Sequence, residues 1–216
     1  MTDQAESLRK MCGPQYKIEM DGNHVYRVNG REIVSVTQAL VESGIVDTRW
    51  FDPWTRERGR MVHKYLELYD LGRLDESSVD PIVEPYFRAY KQFRKDSGFV
   101  PDPRFIERKM FNPVYGYVGM VDRAGTIPGK GNGIVDFKSG MVLPHVGLQL
   151  IGYSMMPDLK DFRDFRIALQ LTEEGKYSVK SFTDPADQAG FIGAVAVAQW
   201  KRRHKIKSPN QQEAQA

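Results

Sequence analysis

The chain has 216 residues, 41% hydrophobic and 27% charged, a profile of a globular protein whose length suits one domain with a core of its own. The net charge of +3 and pI near 8.9 lean only weakly towards polyanionic partners. A single cysteine, Cys12, excludes an intrachain disulfide, a four-cysteine zinc site and an all-cysteine iron–sulfur cluster within one chain.

The opening residues lack the apolar core of a signal peptide. The longest apolar-looking run, 189–200, is well short of the ~20 residues of a membrane span. The expectation is a cytoplasmic protein without a membrane partner. Residues 1–14 and 207–216 are polar and expected to be flexible. Residues 15–206 show no repeat or linker and are expected to form a single domain.

In chain order, residues 16–28 read as a hairpin turning at Asp21-Gly22-Asn23. A strand over 32–34 follows, and Ser35 or Thr37 is placed to cap a helix ending near Ser43. Residues 54–71 form an amphipathic helix in which Arg58, Met61, Val62, Tyr65, Leu66 and Tyr69 follow helical spacing. Trp54 is expected to pack in the core with Trp50 and Phe51, although such rings also suit base stacking. A second helix is predicted over 79–97, with Pro81 in its first turn and Pro85 as a kink or the true start. Three strands follow, over 105–111, 115–125 and 133–139, broken by Asn112-Pro113 and a glycine-rich loop. A helix over 143–156, a hairpin of 165–172 with 177–182, and a helix from Thr183 or Asp184 to about Lys205 complete the order. This is an α/β pattern: a central mixed sheet flanked by helices.

The chemistry concentrates in two strands. Along Gly133-Ile134-Val135-Asp136-Phe137-Lys138, alternation puts Ile134, Asp136 and Lys138 on one face and Val135 and Phe137 on the other. Asp136 and Lys138 thus project together, ~7 Å apart along the backbone. An acid two residues before a lysine also occurs at Glu107/Lys109, Asp158/Lys160 and Glu174/Lys176. Only Glu107/Lys109 shares a strand setting, and only Asp136/Lys138 follows another acid-bearing strand. In that strand, Val118, Met120 and Asp122 are expected to share a face. An unpaired buried carboxylate is costly, and convergence of Asp122 and Asp136 on Mg²⁺ would relieve the cost.

An ordered set of motifs surrounds this pair. Gly59-Arg60-Met61-Val62-His63 lies on the long helix and Glu107 on the first strand of the middle block. Gly119-Met120-Val121-Asp122, Asp136-Phe137-Lys138 and Gln149-Leu150-Ile151-Gly152-Tyr153 follow. The set resembles the PD-(D/E)XK nuclease superfamily, in the branch of RecB-like and CRISPR-associated exonucleases, over residues 59–153. The resemblance implies a restriction-endonuclease-like core. It implies His63, Asp122, Asp136 and the Phe137 backbone carbonyl as ligands of Mg²⁺, with Mn²⁺ as an alternative. It implies Lys138 as the catalytic lysine beside Asp122 and Asp136, Gln149 and Tyr153 as DNA-positioning residues, and Glu107 as a supporting acid. Gly59 would allow close approach of another element, and Arg60 would meet phosphate.

The chain departs from the family in three ways. Val121 stands where the superfamily's name has proline. The cluster-binding cysteines of many CRISPR-associated members are missing, so no iron–sulfur cluster is expected. These 216 residues hold no counterpart of the helicase portion of RecB. The implied activity is metal-dependent hydrolysis of single- or double-stranded DNA, from ends, in bacterial or viral recombination, repair or replication. A homo-oligomer or a recombination or replication partner would fit. The alternatives are a non-cutting nucleic-acid-binding protein on the same fold, or another α/β enzyme. No Walker A loop, G-x-S-x-G or Rossmann fingerprint is present for the latter. Arg56, Arg58, Arg60 and Lys64, and Lys201, Arg202, Arg203, Lys205 and Lys207, form basic runs that suit either a solvated helix face or non-specific backbone contacts.

Overall fold

The computed structural model describes residues 16–22, 24–49 and 52–206. The order is β1 (Ile18–Met20), β2 (Tyr26–Val28), β3 (Arg31–Ser35), α1 (Val36–Ser43), α2 (Pro53–Asp70) and α3 (Glu84–Ser97). Then come β4 (Val100–Asn112), β5 (Tyr117–Ile127), β6 (Gly131–Lys138), α4 (Val146–Ser154), β7 (Phe165–Leu171), β8 (Tyr177–Ser181) and α5 (Ala186–Arg203). The eight strands form one mixed sheet with helices on both faces, the α/β architecture expected. Among the described residues no helix is long and apolar enough to cross a membrane. Trp50, Phe51, Asn23, Lys207 and the two terminal segments expected to be flexible lie outside the described residues.

Local chemistry explains the helix starts. Ser35 caps α1 in a reciprocal box: the Gln38 N–H donates to Ser35 Oγ at 3.2 Å, and the Ser35 N–H donates to Gln38 Oε1 at 2.9 Å. Asp52 caps α2 by accepting the Thr55 N–H at 2.8 Å, with Pro53 in the first turn. The helix predicted from 79 begins instead at Glu84. Pro85 has no N–H and fits only a first turn, so the segment before it turns on Asp80, whose carboxylate accepts the Ile82 N–H. β4 reaches back to Val100, beyond the predicted start, with a register shift between Pro101 and Ile106. It pairs only with β5, and an edge strand tolerates those prolines.

Two cores lie on opposite faces of the sheet. Ala39 and Leu40 of α1, Leu150 and Tyr153 of α4, and Phe191 and Ala194 of α5 cover one face over Ile134 and Ala168. Val62 and Leu66 of α2, with Tyr86, Tyr90 and Phe93 of α3, cover the other over Val135, Phe137 and Leu169. The alternation read along 134–138 therefore holds. It fails in β5, where Val121 and Ala124, three residues apart, join the same core while Val118 joins a third cluster with Tyr26 and Val28. Trp54, expected in the core, is half exposed on the first turn of α2, ahead of its buried residues.

The pairing of β5 prepares the site. β4 runs along one of its edges from Tyr117 to Thr126. The other edge is shared: β3 pairs in parallel with Tyr117 and Val118, and β6 pairs antiparallel only from Arg123 onward. Gly119 to Asp122 therefore have no ladder partner on that edge. β6 meanwhile stays on β7 to its end, with Asp136 opposite Ala168 and Lys138 opposite Gln170. β5 and β6 fork, and Asp122 and Asp136 stand at the base of the fork.

The β6–β7 pairing that fixes this fork leaves no room at Gly133, where an added Cβ would lie 2.3 Å from the Phe165 carbonyl oxygen. Gly133→Ala is expected to destabilise the fold by about 1–3 kcal/mol through overpacking, read as a lower midpoint in urea unfolding.

Candidate active site

α2 lies across one face of the sheet and carries His63 to the fork. His63 Nδ1 is 3.4 Å from Glu107 Oε1 on β4 and 3.5 Å from Asp122 Oδ1 on β5. Ligating atoms of these three side chains lie within 4.8 Å of one another, the one such group among the described residues that could hold a metal ion. The other Asp122 oxygen accepts the Phe137 N–H at 2.7 Å. That bond takes over a donor at the open edge of β6 and leaves Oδ1 turned to the cluster.

Electrostatics follow from crowding acids in a poorly solvated place. Burial raises the Asp122 carboxyl above its ordinary range, with His63 opposing it. Burial likewise lifts Asp136 to about 6 against the pull of Lys138. For His63, burial alone would lower the pKa, but the Asp122 and Glu107 carboxylates, with Asp136, push it up to about 9.

Asp136 belongs to an adjoining group built with α4 on the opposite face. Asp136 Oδ2 is 2.5 Å from Lys138 Nζ. Lys138 donates to Gln149 Oε1 at 3.1 Å, and Gln149 Nε2 donates to Asp136 Oδ1 at 3.1 Å and to the Tyr153 hydroxyl at 2.9 Å. Asp136, Lys138 and Gln149 thus close a ring with Tyr153 behind it. Gln149 and Tyr153 are one helical turn apart and face one way. The absence of a side chain at Gly119 admits this turn of α4, since a Cβ there would lie 3.0 Å from Tyr153 Cδ1 and 2.7 Å from Met156 Cε.

The other residues named from sequence fall out unevenly. At Gly59 a Cβ would sit 3.4 Å from Ser139 Oγ, an ordinary contact, so the approach of α2 to the segment after Lys138 does not require the glycine; Arg58 donates to the Ser139 carbonyl at 3.1 Å. Arg60 is exposed and ion-pairs with Glu57 on its own helix. Lys64 pairs with Glu67 in the same way. His145 is half-buried at the start of α4, and burial together with the Lys138 charge lowers its pKa. In the C-terminal basic run, Arg202 is bound to Glu42 and Glu32, and Lys201 donates to the Glu42 carbonyl. Those two cations hold helices together.

Glu107, expected as a supporting acid, stands in the cluster itself beside His63 and Asp122. Its backbone is left-handed, φ 48°, a conformation that costs a residue with a side chain on the order of 1–3 kcal/mol. Sequence reading passed over Arg123 and Asp70 behind it, both with fully buried side chains. Arg123 Nε donates to Asp70 Oδ2 at 2.6 Å, and Nη1 donates to Glu107 Oε1 at 3.1 Å. The one sequence signal was an arginine directly after Asp122 in an otherwise apolar strand.

No protein-family model matches the chain, and no curated protein matches it. Among solved structures, the alkaline exonuclease LHK-Exo from Laribacter hongkongensis is similar at 11% identity and TM-score 0.40, over 85% of this chain and 94% of that one. The same exonuclease in complex with dAMP aligns at 13% identity and TM-score 0.40 over the same shares. The crystal structure of SSO0001 aligns at 15% identity and TM-score 0.39, over 77% of this chain and 75% of that one.

The pKa of His63 gives a direct check. Raised from 6.5 to about 9, it makes the protonated ring favour the fold fully below pH 6.5, an advantage lost as pH rises through about 9. NMR titration of the metal-free protein is expected to find the His63 ring still protonated at neutral pH. Asp122→Asn should bring its midpoint down towards the ordinary histidine value; an unchanged midpoint would mean that Asp122 is not the charge His63 feels.

Proposed function

We propose that the chain is a metal-dependent nuclease of the PD-(D/E)XK superfamily, RecB-like branch, hydrolysing phosphodiester bonds of DNA and acting from ends. The observation that carries this reading is the juxtaposition at one fork of two groups. One is a histidine and two acids with ligating atoms within 4.8 Å; the other is a lysine held by Asp136 and Gln149.

The cluster fits a hard divalent cation. It offers one imidazole nitrogen and two carboxylate oxygens, and one carboxylate, on Asp122, is buried at a cost that a cation would offset. Carboxylates with water suit Mg²⁺, and the imidazole admits Mn²⁺. His63, Glu107 and Asp122 would hold the ion, with Asp136 and the Phe137 carbonyl as further ligands from β6. When bound, such an ion supplies Lewis acidity and a water of lowered pKa.

The chain's own residues do the rest. Lys138, partly exposed at the end of β6, presents its ammonium to the phosphate oxygens and steadies negative charge as it develops. Gln149 fixes Lys138 and Asp136 in register, and Tyr153 fixes Gln149 from behind. Without a cation, the acids at the fork would repel phosphate, which favours cutting over binding alone. DNA metabolism in recombination, repair or replication, with DNA ends as substrate, is the setting this chemistry serves.

Incubation with end-labelled single- and double-stranded DNA tests the reading. Cleavage is expected with Mg²⁺ or Mn²⁺, none with EDTA, and a loss of about 10²–10³-fold in Lys138→Ala. DNA binding should survive in the mutant. Binding without cleavage under every metal condition would make the protein a non-cutting binder.

A further inference from the structure

The site's third acid is not free to choose its partner. Glu107 Oε1, the oxygen facing His63 Nδ1 at 3.4 Å, also accepts from Arg123 Nη1 at 3.1 Å. A guanidinium with no solvent exposure demands a matching anion. Two carboxylates are within its reach: Asp70, beneath the site, and Glu107, in it.

Asp70 takes the shorter contact, 2.6 Å from Arg123 Nε. It is itself shared, because Tyr90 donates to its Oδ2 at 2.8 Å and Arg94 Nη1 lies 2.9 Å from its Oδ1. Arg123 also donates to the Asp122 carbonyl and lies 5.0 Å from the Phe137 ring centroid. Packing therefore holds the guanidinium in place whatever its anion does. What varies is how much of its charge falls on Glu107.

We infer that Asp70 is a positioning residue: by matching the charge of Arg123 it leaves the Glu107 carboxylate available to a divalent cation, and so sets the cation affinity of a cluster it does not touch. The inference rests on the proposed reading of His63, Glu107 and Asp122 as cation ligands. It adds a control on the site from the interior. Two opposite charges on Asp70 and Arg123 cancel where the cation would otherwise compete with an arginine for the same oxygen.

Calorimetric titration of the full chain with Mn²⁺ tests this, without any need for catalysis. Asp70→Asn is expected to weaken Mn²⁺ binding about tenfold or more, since Arg123 then turns its whole charge on Glu107. Glu107→Gln is expected to weaken binding as well. In the Glu107→Gln background, Asp70→Asn should add less than about twofold, because the two act through one oxygen. Equal effects of Asp70→Asn in both backgrounds, or no effect in the native one, overturn the inference and leave the nuclease reading intact. A native protein that binds no Mn²⁺ overturns both.

Thermal melting without metal identifies a variant that has lost its fold. Should Asp70→Asn be one, Arg94→Gln, at the partly exposed end of the network, gives the opposite test. It removes a competitor for Asp70, so Mn²⁺ binding should tighten about twofold or more; unchanged or weaker binding overturns the inference.

Discussion

A strand has two edges, and β5 has three partners. β4 occupies one edge, so β3 and β6 must divide the other, and the stretch from Gly119 to Asp122 falls between them. Everything at the site depends on that interruption. The Asp122 side chain, rather than a β5 carbonyl, receives the Phe137 N–H. Both layers of helices also look into the same gap. α2 brings His63 from one face and α4 brings Gln149 and Tyr153 from the other. An unbroken ladder would have kept the two faces apart.

The second constraint is charge. Asp70, Asp122 and Asp136 are buried and Glu107 is nearly so, where an uncompensated ion costs several kcal/mol. Each acid has a named positive partner: Arg123 and Arg94 for Asp70, His63 for Asp122, Lys138 for Asp136, and His63 with Arg123 for Glu107. The acids at the fork are still incompletely matched, which is why burial raises both Asp122 and Asp136. The site is therefore held together at some electrostatic cost, which the divalent cation proposed above would relieve.

Much of this could be read from sequence because it is local. The period-two pattern around Asp136, the capping serine before α1 and the helical spacing of Val62 and Leu66 depend on neighbours in the chain. So does the adjacency of Gln149 and Tyr153. The remainder was set by contacts distant in sequence. The forked edge of β5 and the break in alternation at Asp122 follow from which strands share that edge, and a local pattern holds no record of it. Asp70 ends an amphipathic helix and Arg123 directly follows an acid in a strand, and neither local pattern marks a buried ion pair. Only the packing of α2 and α3 on the sheet shows that one buries the other. Arg60 shows the local case again: its ion pair with Glu57, three residues earlier on the same helix, follows from helical spacing alone.

The final helix carries a consequence for how the molecule is made. α5 supplies Phe191, Ala194, Val195 and Ala198 to one core, and its Arg202 meets Glu42, 160 residues earlier. The core beneath α2 and α3 draws instead on residues that are all translated by Tyr177. During synthesis, then, one side of the sheet has its whole cover available while the other lacks α5 until the chain extends past Arg203. Contacts closed across so long a loop are slow to form, and the waiting face is apolar. Until α5 docks, the face that holds Gln149 and Tyr153 is covered only by α1 and α4, and the apolar surface left open is the kind that chaperones recognise and aggregates grow from.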